Sequence, residues 1–339
     1  MTDSVPSPTA PKAPPRIGVL LANPGTPDAP DAGAVRRYLR EFLSDPRVVE
    51  IPALLWQPIL RGVVLRTRPA KSAHAYAQVW DHARRASPLR AITEDQVQAL
   101  QGAFGPDVTV DHAMRYGTPS IADAIDRLHA ASCTRILLAP LYPQYCAATT
   151  ASVVDAAGAA LARRRWQPAL RTLPPYYDDP AYVAALAEDI GHGIAGLDFE
   201  PQALLLSFHG MPERTRKLGD PYHDQCVETA RLLGKALGRD VLLSFQSRFG
   251  RAKWLEPSTE SMLAALPGRD VRRLAVCAPG FSADCLETLE ELAIRGRQTF
   301  LSGGGENFAY LPCLNARPTG IEMLRKILAR ELEGWLPRF

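Results

Sequence analysis

Four side chains carry most of the chemistry that the sequence offers. His209 stands in Ser207-Phe208-His209-Gly210-Met211-Pro212, directly after an apolar run, where glycine and proline force a turn. An imidazole there can accept a proton near neutral pH or ligate a metal. It can equally be a turn histidine held for structure, and the chain has seven histidines. The second group follows the last strong apolar run, in Asp284-Cys285-Leu286-Glu287-Thr288-Leu289-Glu290-Glu291. At about 100° per residue, Asp284, Glu287 and Glu291 share one helical face, with Leu286, Leu289 and Ala293 opposite. Asp-x-x-Glu at a helix start also has the form of a capping box. Capping accounts for Asp284 and Glu287 but leaves Glu291, one turn further on, without a role. A row of carboxylates leading into a cleft could hold a divalent cation or conduct protons.

The elements that must position these residues are short apolar runs alternating with longer segments of helical period, the pattern of an α/β fold with parallel sheets. Six runs have strand character: 17–22, 108–114, 135–139, 203–208, 241–245 and 273–278. The chain also echoes itself. Leu20-Leu21-Ala22-Asn23-Pro24-Gly25-Thr26-Pro27 and Leu205-Leu206-Ser207-Phe208-His209-Gly210-Met211-Pro212 share one pattern, with Pro24 at the place of His209. Arg115-Tyr116-Gly117 is echoed by Arg248-Phe249-Gly250, and Ala139-Pro140-Leu141-Tyr142 by Ala278-Pro279-Gly280-Phe281. Three echoes in one order predict two similar halves. In each, the unusual residues follow a strand, at the carboxyl edge where open α/β sheets bind ligands.

The halves differ in length, because the interval from Pro24 to Arg115 exceeds that from His209 to Arg248 by about fifty residues. The extra segment is placed at 54–89, where Leu54, Leu55, Trp56, Ile59, Val63, Val64 and Leu65 mix with Arg61, Arg66, Arg68 and Lys71. It reads as an amphipathic helical insertion. If it also walls a pocket mouth, replacing Trp56 and Ile59 with serine should weaken ligand affinity and leave the fold intact.

Composition bounds the rest. A net charge of +3 on 339 residues, without a basic run, gives no footprint for nucleic acid. Residues 1–15 are proline-rich and polar, are expected to be disordered, and contain no apolar core of a secretory signal. No uninterrupted apolar stretch reaches membrane-spanning length, so a cytoplasmic protein is expected. Six scattered cysteines, at 133, 146, 226, 277, 285 and 313, predict free thiols rather than disulfides or a structural zinc site.

Taken in order, these segments resemble the ferrochelatases, closely the proteobacterial kind, from about residue 16 to the end of the chain. The resemblance is carried by 20–27, by Tyr76 through Ser87-Pro88, by Arg115-Tyr116-Gly117 and by Tyr142-Pro143-Gln144-Tyr145. It continues through 207–212, Gly219-Asp220-Pro221-Tyr222, Gln246-Ser247-Arg248, Trp254-Leu255 and 279–289. It implies two flavodoxin-like, Rossmann-like domains with parallel sheets around a porphyrin cleft. The expected division is an N-terminal domain over 16–172, a C-terminal domain over 173–315, and a final helix in 316–339 packing back across both.

The family pattern implies insertion of Fe2+ into protoporphyrin IX with release of two protons, the last step of haem biosynthesis. It makes His209 and Glu287 catalytic and metal-contacting groups on opposite sides of the macrocycle. Pro24, Tyr76, Ser87, Arg115, Tyr116, Tyr142 and Trp254 become porphyrin-binding residues, and Asp284 and Glu291 a path for protons or metal. Cys285 stands where many relatives have histidine, so a second imidazole is not part of this site. The C-terminal cysteines that hold an iron-sulfur cluster in animal members have no counterpart, so no cofactor is expected and iron enters as substrate. A monomer is expected, with peripheral membrane contact through the insertion. The motifs leave alternatives open: another metal or tetrapyrrole, such as cobalt or coproporphyrin III, or a haem carrier without catalysis. A carrier would have been favoured by loss of His209 or Glu287, and both are present. Which face of the ring receives iron stays open at this level.

Overall fold

The computed structural model describes residues 16–250 and 252–336. The expectation for 1–15 lies outside the described residues. The first half contains strands β1 (Arg16–Gly25), β2 (Val108–Tyr116), β3 (Cys133–Pro140) and β4 (Ala169–Thr172). The second contains β5 (Ala203–His209), β6 (Leu242–Gln246), β7 (Arg273–Cys277) and β8 (Asn307–Tyr310). All strand pairs are parallel, and the orders β2-β1-β3-β4 and β6-β5-β7-β8 are one topology used twice. The sequence echoes therefore fall near corresponding strand ends, although Arg115 lies within β2 and Arg248 two residues beyond β6. Each half also places a cis-proline and a serine helix cap after its second strand, at Pro119-Ser120 and Pro257-Ser258.

The inner strands are continuous apolar runs because helices cover both faces of a parallel sheet. Residues 19–22 and 136–139 are fully buried, as are 204–206. The two strands absent from the sequence reading, β4 and β8, are four-residue edge strands with no fully buried residue, Ala-Leu-Arg-Thr and Asn-Phe-Ala-Tyr. An edge strand needs apolar cover on less of its surface, so no run of apolar residues announces it.

In the first half the helices are α1 (Ala32–Ser44), α2 (Ala53–Ile59), α3 (Leu65–Val79), α4 (Pro88–Phe104), α5 (Ile121–Ala130) and α6 (Ser152–Ala162). From there α7 (Pro180–Ala195) leads into the second half, which holds α8 (Glu213–Lys217), α9 (Tyr222–Leu237), α10 (Thr259–Ala265), α11 (Leu286–Thr288) and α12 (Arg297–Ser302). The chain closes with α13 (Pro318–Glu331), which packs on both α7 and α4.

Between β1 and α4 stands a helical lip with its own core. Val35, Leu39 and Leu43 of α1 pack with Trp56, Leu60, Leu65, Ala73, Tyr76 and Trp80. The unit is thus larger than 54–89, since α1 supplies a third of its buried residues. The largest core cluster runs through both sheets, joining Val19, Leu21 and Leu137 to Leu204, Leu206 and Cys277 through α7, α9 and α13. The halves share this core.

Among the described residues three stretches widen to π-helix: Leu60–Val64 in the lip, Ala147–Ala151 before α6, and Leu289–Gly296 between α11 and α12. The last carries Glu290 and Glu291. A widened turn does not keep a 100° periodicity, so the predicted three-carboxylate stripe does not form. Asp284 precedes the helix and is buried, and Leu286 packs toward the lip core. The capping alternative is also redrawn. The cap is Cys285, whose N–H donates to Thr288 Oγ1 at 3.0 Å, and neither Asp284 nor Glu287 takes part in that box.

Candidate active site

A cleft of about 1380 Å³ opens along the carboxyl edges of both sheets, with the lip as its outer wall. The ends of six strands contribute: Pro24 in β1 and Thr26 after it, Tyr116 from β2, Tyr142 after β3, His209 from β5, Gln246 from β6 with Ser247 after it, and Glu287 after β7. The lip adds Tyr38, Phe42, Trp56 and Tyr76. Of the residues singled out in the sequence, Pro24, Tyr76, Ser87, Tyr116, Tyr142, His209, Trp254, Glu287 and Glu291 line this one cleft. Arg115 and Asp284 do not.

His209 is the last residue of β5 and is half-buried. Its Nδ1 lies 2.7 Å from the carbonyl oxygen of Gly210, an acceptor, so Nδ1 carries a proton and Nε2 is the basic nitrogen of the neutral ring. Tyr222 donates to the His209 carbonyl at 3.0 Å, and the Phe281 ring lies 6.5 Å from the imidazole. The turn needs glycine at 210. A Cβ there would stand 2.3 Å from the backbone oxygen of Gln246, which accepts the Gly210 N–H at 2.8 Å.

Glu287, second residue of α11, is half-buried, and its backbone oxygen accepts from Gln246 Nε2 at 2.8 Å. One turn on, Glu291 accepts from Ser247 Oγ at 2.6 Å, with Arg295 at 3.6 Å. Burial, reinforced by the charge of Glu287, pushes the Glu291 carboxyl up to about 7, against the opposing pull of Ser247 and Arg295. It is the group in this row poised to exchange a proton near neutral pH.

Asp284 works behind the wall. One oxygen accepts from Thr288 Oγ1 at 2.9 Å and Tyr310 at 2.6 Å, and the other from Asn315 Nδ2 at 2.6 Å. A buried carboxylate with that many donors anchors the loop that presents Glu287. Arg115 is also a supporting residue. Its guanidinium is 2.6 Å from Asp45 and 2.7 Å from Ser152 Oγ, and it stacks 4.5 Å over the Tyr116 ring. Tyr116 donates to the same Asp45 oxygen at 2.8 Å. Although burial pushes the Asp45 carboxyl up, hydrogen bonds from Ser152, the Arg47 N–H and Tyr116, with the Arg115 charge, hold it below the ordinary range.

Ser87 caps α4, accepting the Arg90 N–H at 3.2 Å, and Trp254 Nε1 donates to the Phe249 carbonyl at 3.0 Å. Burial pushes the phenols of Tyr38, Tyr76 and Tyr142 well up, so they present neutral, largely apolar rings. Tyr38, Phe42, Gln246 and Ser247 received no individual site role from the sequence. Tyr38 and Phe42 look like ordinary residues of an amphipathic helix, whereas Gln246-Ser247 already stood among the motifs that carry the resemblance. Two contacts cross the cleft mouth from lip to second half: Arg68 stacks 4.3 Å over Phe249, and Arg214 lies 2.5 Å from Glu50.

No three His, Cys, Asp or Glu side chains converge as a metal set among the described residues. His209, Glu287 and Glu291 instead line a large, open, aromatic-walled cleft.

Two four-stranded parallel sheets facing one such cleft are the architecture of the chelatase fold. The sirohydrochlorin chelatase SirB of Bacillus subtilis superposes with a TM-score of 0.57 at 12% identity, covering 94% of this chain and 97% of that one. A family model described as Ferrochelatase matches residues 16–332. Ferrochelatases of Rhizobium meliloti and Methylocella silvestris are 53% and 50% identical, each covering 95% of this chain and 96% and 95% of their own lengths. That of Methylibium petroleiphilum is 54% identical over 94% of this chain and 89% of its own. The chain belongs to the ferrochelatase family and is an enzyme that inserts metal into a porphyrin.

Proposed function

We propose that the enzyme inserts Fe2+ into protoporphyrin IX to give protohaem, the last step of haem biosynthesis. The observation that carries the reading is the placement of His209 and Glu287, from two different strand ends, on the wall of one aromatic cleft large enough for a tetrapyrrole. Insertion requires loss of two pyrrole protons and stripping of water from the cation. His209 Nε2, with its lone pair free, accepts pyrrole protons and contacts the incoming metal from one side of the ring. Glu287 faces the other side as the counter-charge, and Glu291 behind it passes protons. Pro24, Tyr76, Tyr116, Tyr142 and Trp254 contact the macrocycle, Ser87 lines the same cleft, and Arg115 and Asp284 hold these walls.

The remainder of the reading extends the same proposal. The domains are the two sheet units, 16–172 and 173–315, with α13, in 316–339, bracing both. The protein works as a monomer without a resident cofactor, and the lip touches a membrane surface through Leu54, Leu55, Ile59 and Val63, all exposed beside Arg61 and Arg66. No helix among the described residues is long and apolar enough to cross a membrane.

Porphyrin absorbance with ferrous ion, comparing protoporphyrin and coproporphyrin, tests the substrate. His209→Ala should lower turnover by about two orders of magnitude or more, the scale of a lost general base, with porphyrin still bound. Glu287→Gln should also lower it, with the melting temperature unchanged because the cap is Cys285. Near-normal insertion by Glu287→Gln would remove the carboxylate from the site.

A further inference from the structure

The strand ends that carry His209 and Glu287 are not adjacent in sequence, and one residue joins them. Gln246 is the partner of His209 in the β5–β6 register, so the two lie side by side at the sheet edge. Its backbone oxygen accepts the Gly210 N–H at 2.8 Å, pinning the turn that directly follows His209. Its side chain reaches the other way, with Nε2 donating to the backbone oxygen of Glu287 at 2.8 Å. The side chain is fixed from behind, since its Oε1 accepts from Ser207 Oγ at 2.6 Å. Ser207 in turn touches Thr259 Oγ1 at 2.8 Å, which touches Ser244 Oγ at 2.8 Å. Gln246, Ser207, Ser244 and Thr259 are all buried. A buried amide with both ends satisfied has one available orientation.

The next residue continues the arrangement. Ser247 takes a left-handed backbone, φ 62°, and places its hydroxyl on Glu291 Oε2 at 2.6 Å. Non-glycine residues adopt that conformation at a cost, and it is retained where surrounding contacts over-determine it. One dipeptide thus holds the acidic helix at two points four residues apart.

We propose that Gln246 is a positioning residue that sets the placement of Glu287 relative to His209, and that turnover depends on this coupling through Glu287. The proposal rests on the assignment of Glu287 above. It predicts non-additivity in a double-mutant cycle. Gln246→Leu should lower kcat about tenfold or more in the wild-type background, with the porphyrin KM within about twofold. In the Glu287→Gln background the same change should cost less than about twofold, because the group being positioned is already disabled. Gln246→Asn is one methylene shorter and cannot span from β6 to the helix, but it keeps a polar group for Ser207. It should reproduce the kcat loss with a smaller change in melting temperature, and it serves if Gln246→Leu does not fold. Equal losses in both backgrounds, or no loss with either variant, would overturn the proposal. Full turnover by Glu287→Gln alone would instead overturn the site assignment, and this proposal with it.

Discussion

Glu291 binds its proton more tightly in the fold than in the unfolded chain, where a glutamate ionises near 4.5, and the difference has a definite sign. Below about 4.5 both states are protonated and the stabilising difference is fully present. Between about 4.5 and 7 the fold keeps a proton that the unfolded chain has released, so stability falls as pH rises, and above 7 the loss is complete. Glu291→Gln keeps an acceptor for Ser247 and removes the ionisation. Its melting temperature should be flatter than that of wild type between about pH 5 and 8. At pH 8 it should be the more stable protein, by on the order of 3 kcal/mol. Parallel curves for the two proteins would show that Glu291 is charged throughout. The same position shows how a residue can be found in sequence while its reason is missed. Glu291 was marked by helical spacing to Asp284 and Glu287, whereas its proton affinity comes from burial beside Glu287.

At the scale of elements the lip separates two kinds of apolar residue that its sequence mixes. Trp56 is part of the lip core, and its Nε1 donates to the Leu43 carbonyl at 2.6 Å. Ile59 is 49% exposed and stands outside the cleft. Serine at both positions would therefore not leave the fold intact, as the sequence had suggested. Trp56→Ala should destabilise by about 3–5 kcal/mol, the cost of removing a buried aromatic, read in denaturant unfolding. Ile59→Ser should change stability by about 0.5 kcal/mol or less and leave the porphyrin KM unaltered. Leu54, 92% exposed, and Leu55, 64% exposed, are the side chains through which a membrane contact would act. Replacing both with serine should lower co-sedimentation with anionic vesicles and keep turnover on soluble porphyrin. Unchanged vesicle binding would dismiss the lip as the contact.

The molecule as a whole should unfold as one unit despite its two sheets. Met323, Leu324, Ile327 and Leu328 of α13 are buried in the cluster that also contains the inner strands of both halves. Opening one half would expose the shared core of the other. Far-ultraviolet dichroism and tryptophan fluorescence should accordingly give coincident thermal transitions, and Leu328→Ala should shift both together, by about 2–5 kcal/mol. Two resolved transitions would mean that the halves are independent.

Parallel sheets demand apolar runs, and turns at strand ends demand glycine and proline. For that reason the α/β class, six of the strands, the duplicated halves and the clefted carboxyl edge were all legible before any coordinate. The same logic expected His209 and Glu287 at the carboxyl edge, and both line the cleft there. Short edge strands left no such trace, so β4 and β8 appeared only in the fold. Tertiary structure alone decided which polar residues face the cleft and which hold it in place. Arg115 and Asp284 turned inward because each meets a set of buried partners from elements distant in sequence: Asp45 and Ser152 for one, Tyr310 and Asn315 for the other. The widening of the helix at Leu289 was likewise invisible, because a periodicity argument assumes the pitch that this segment does not keep. Periodicity records which side of an element meets the core. It carries no information about which distant side chain will satisfy a buried charge, and that pairing is what separates Glu287 in the cleft from Asp284 behind it.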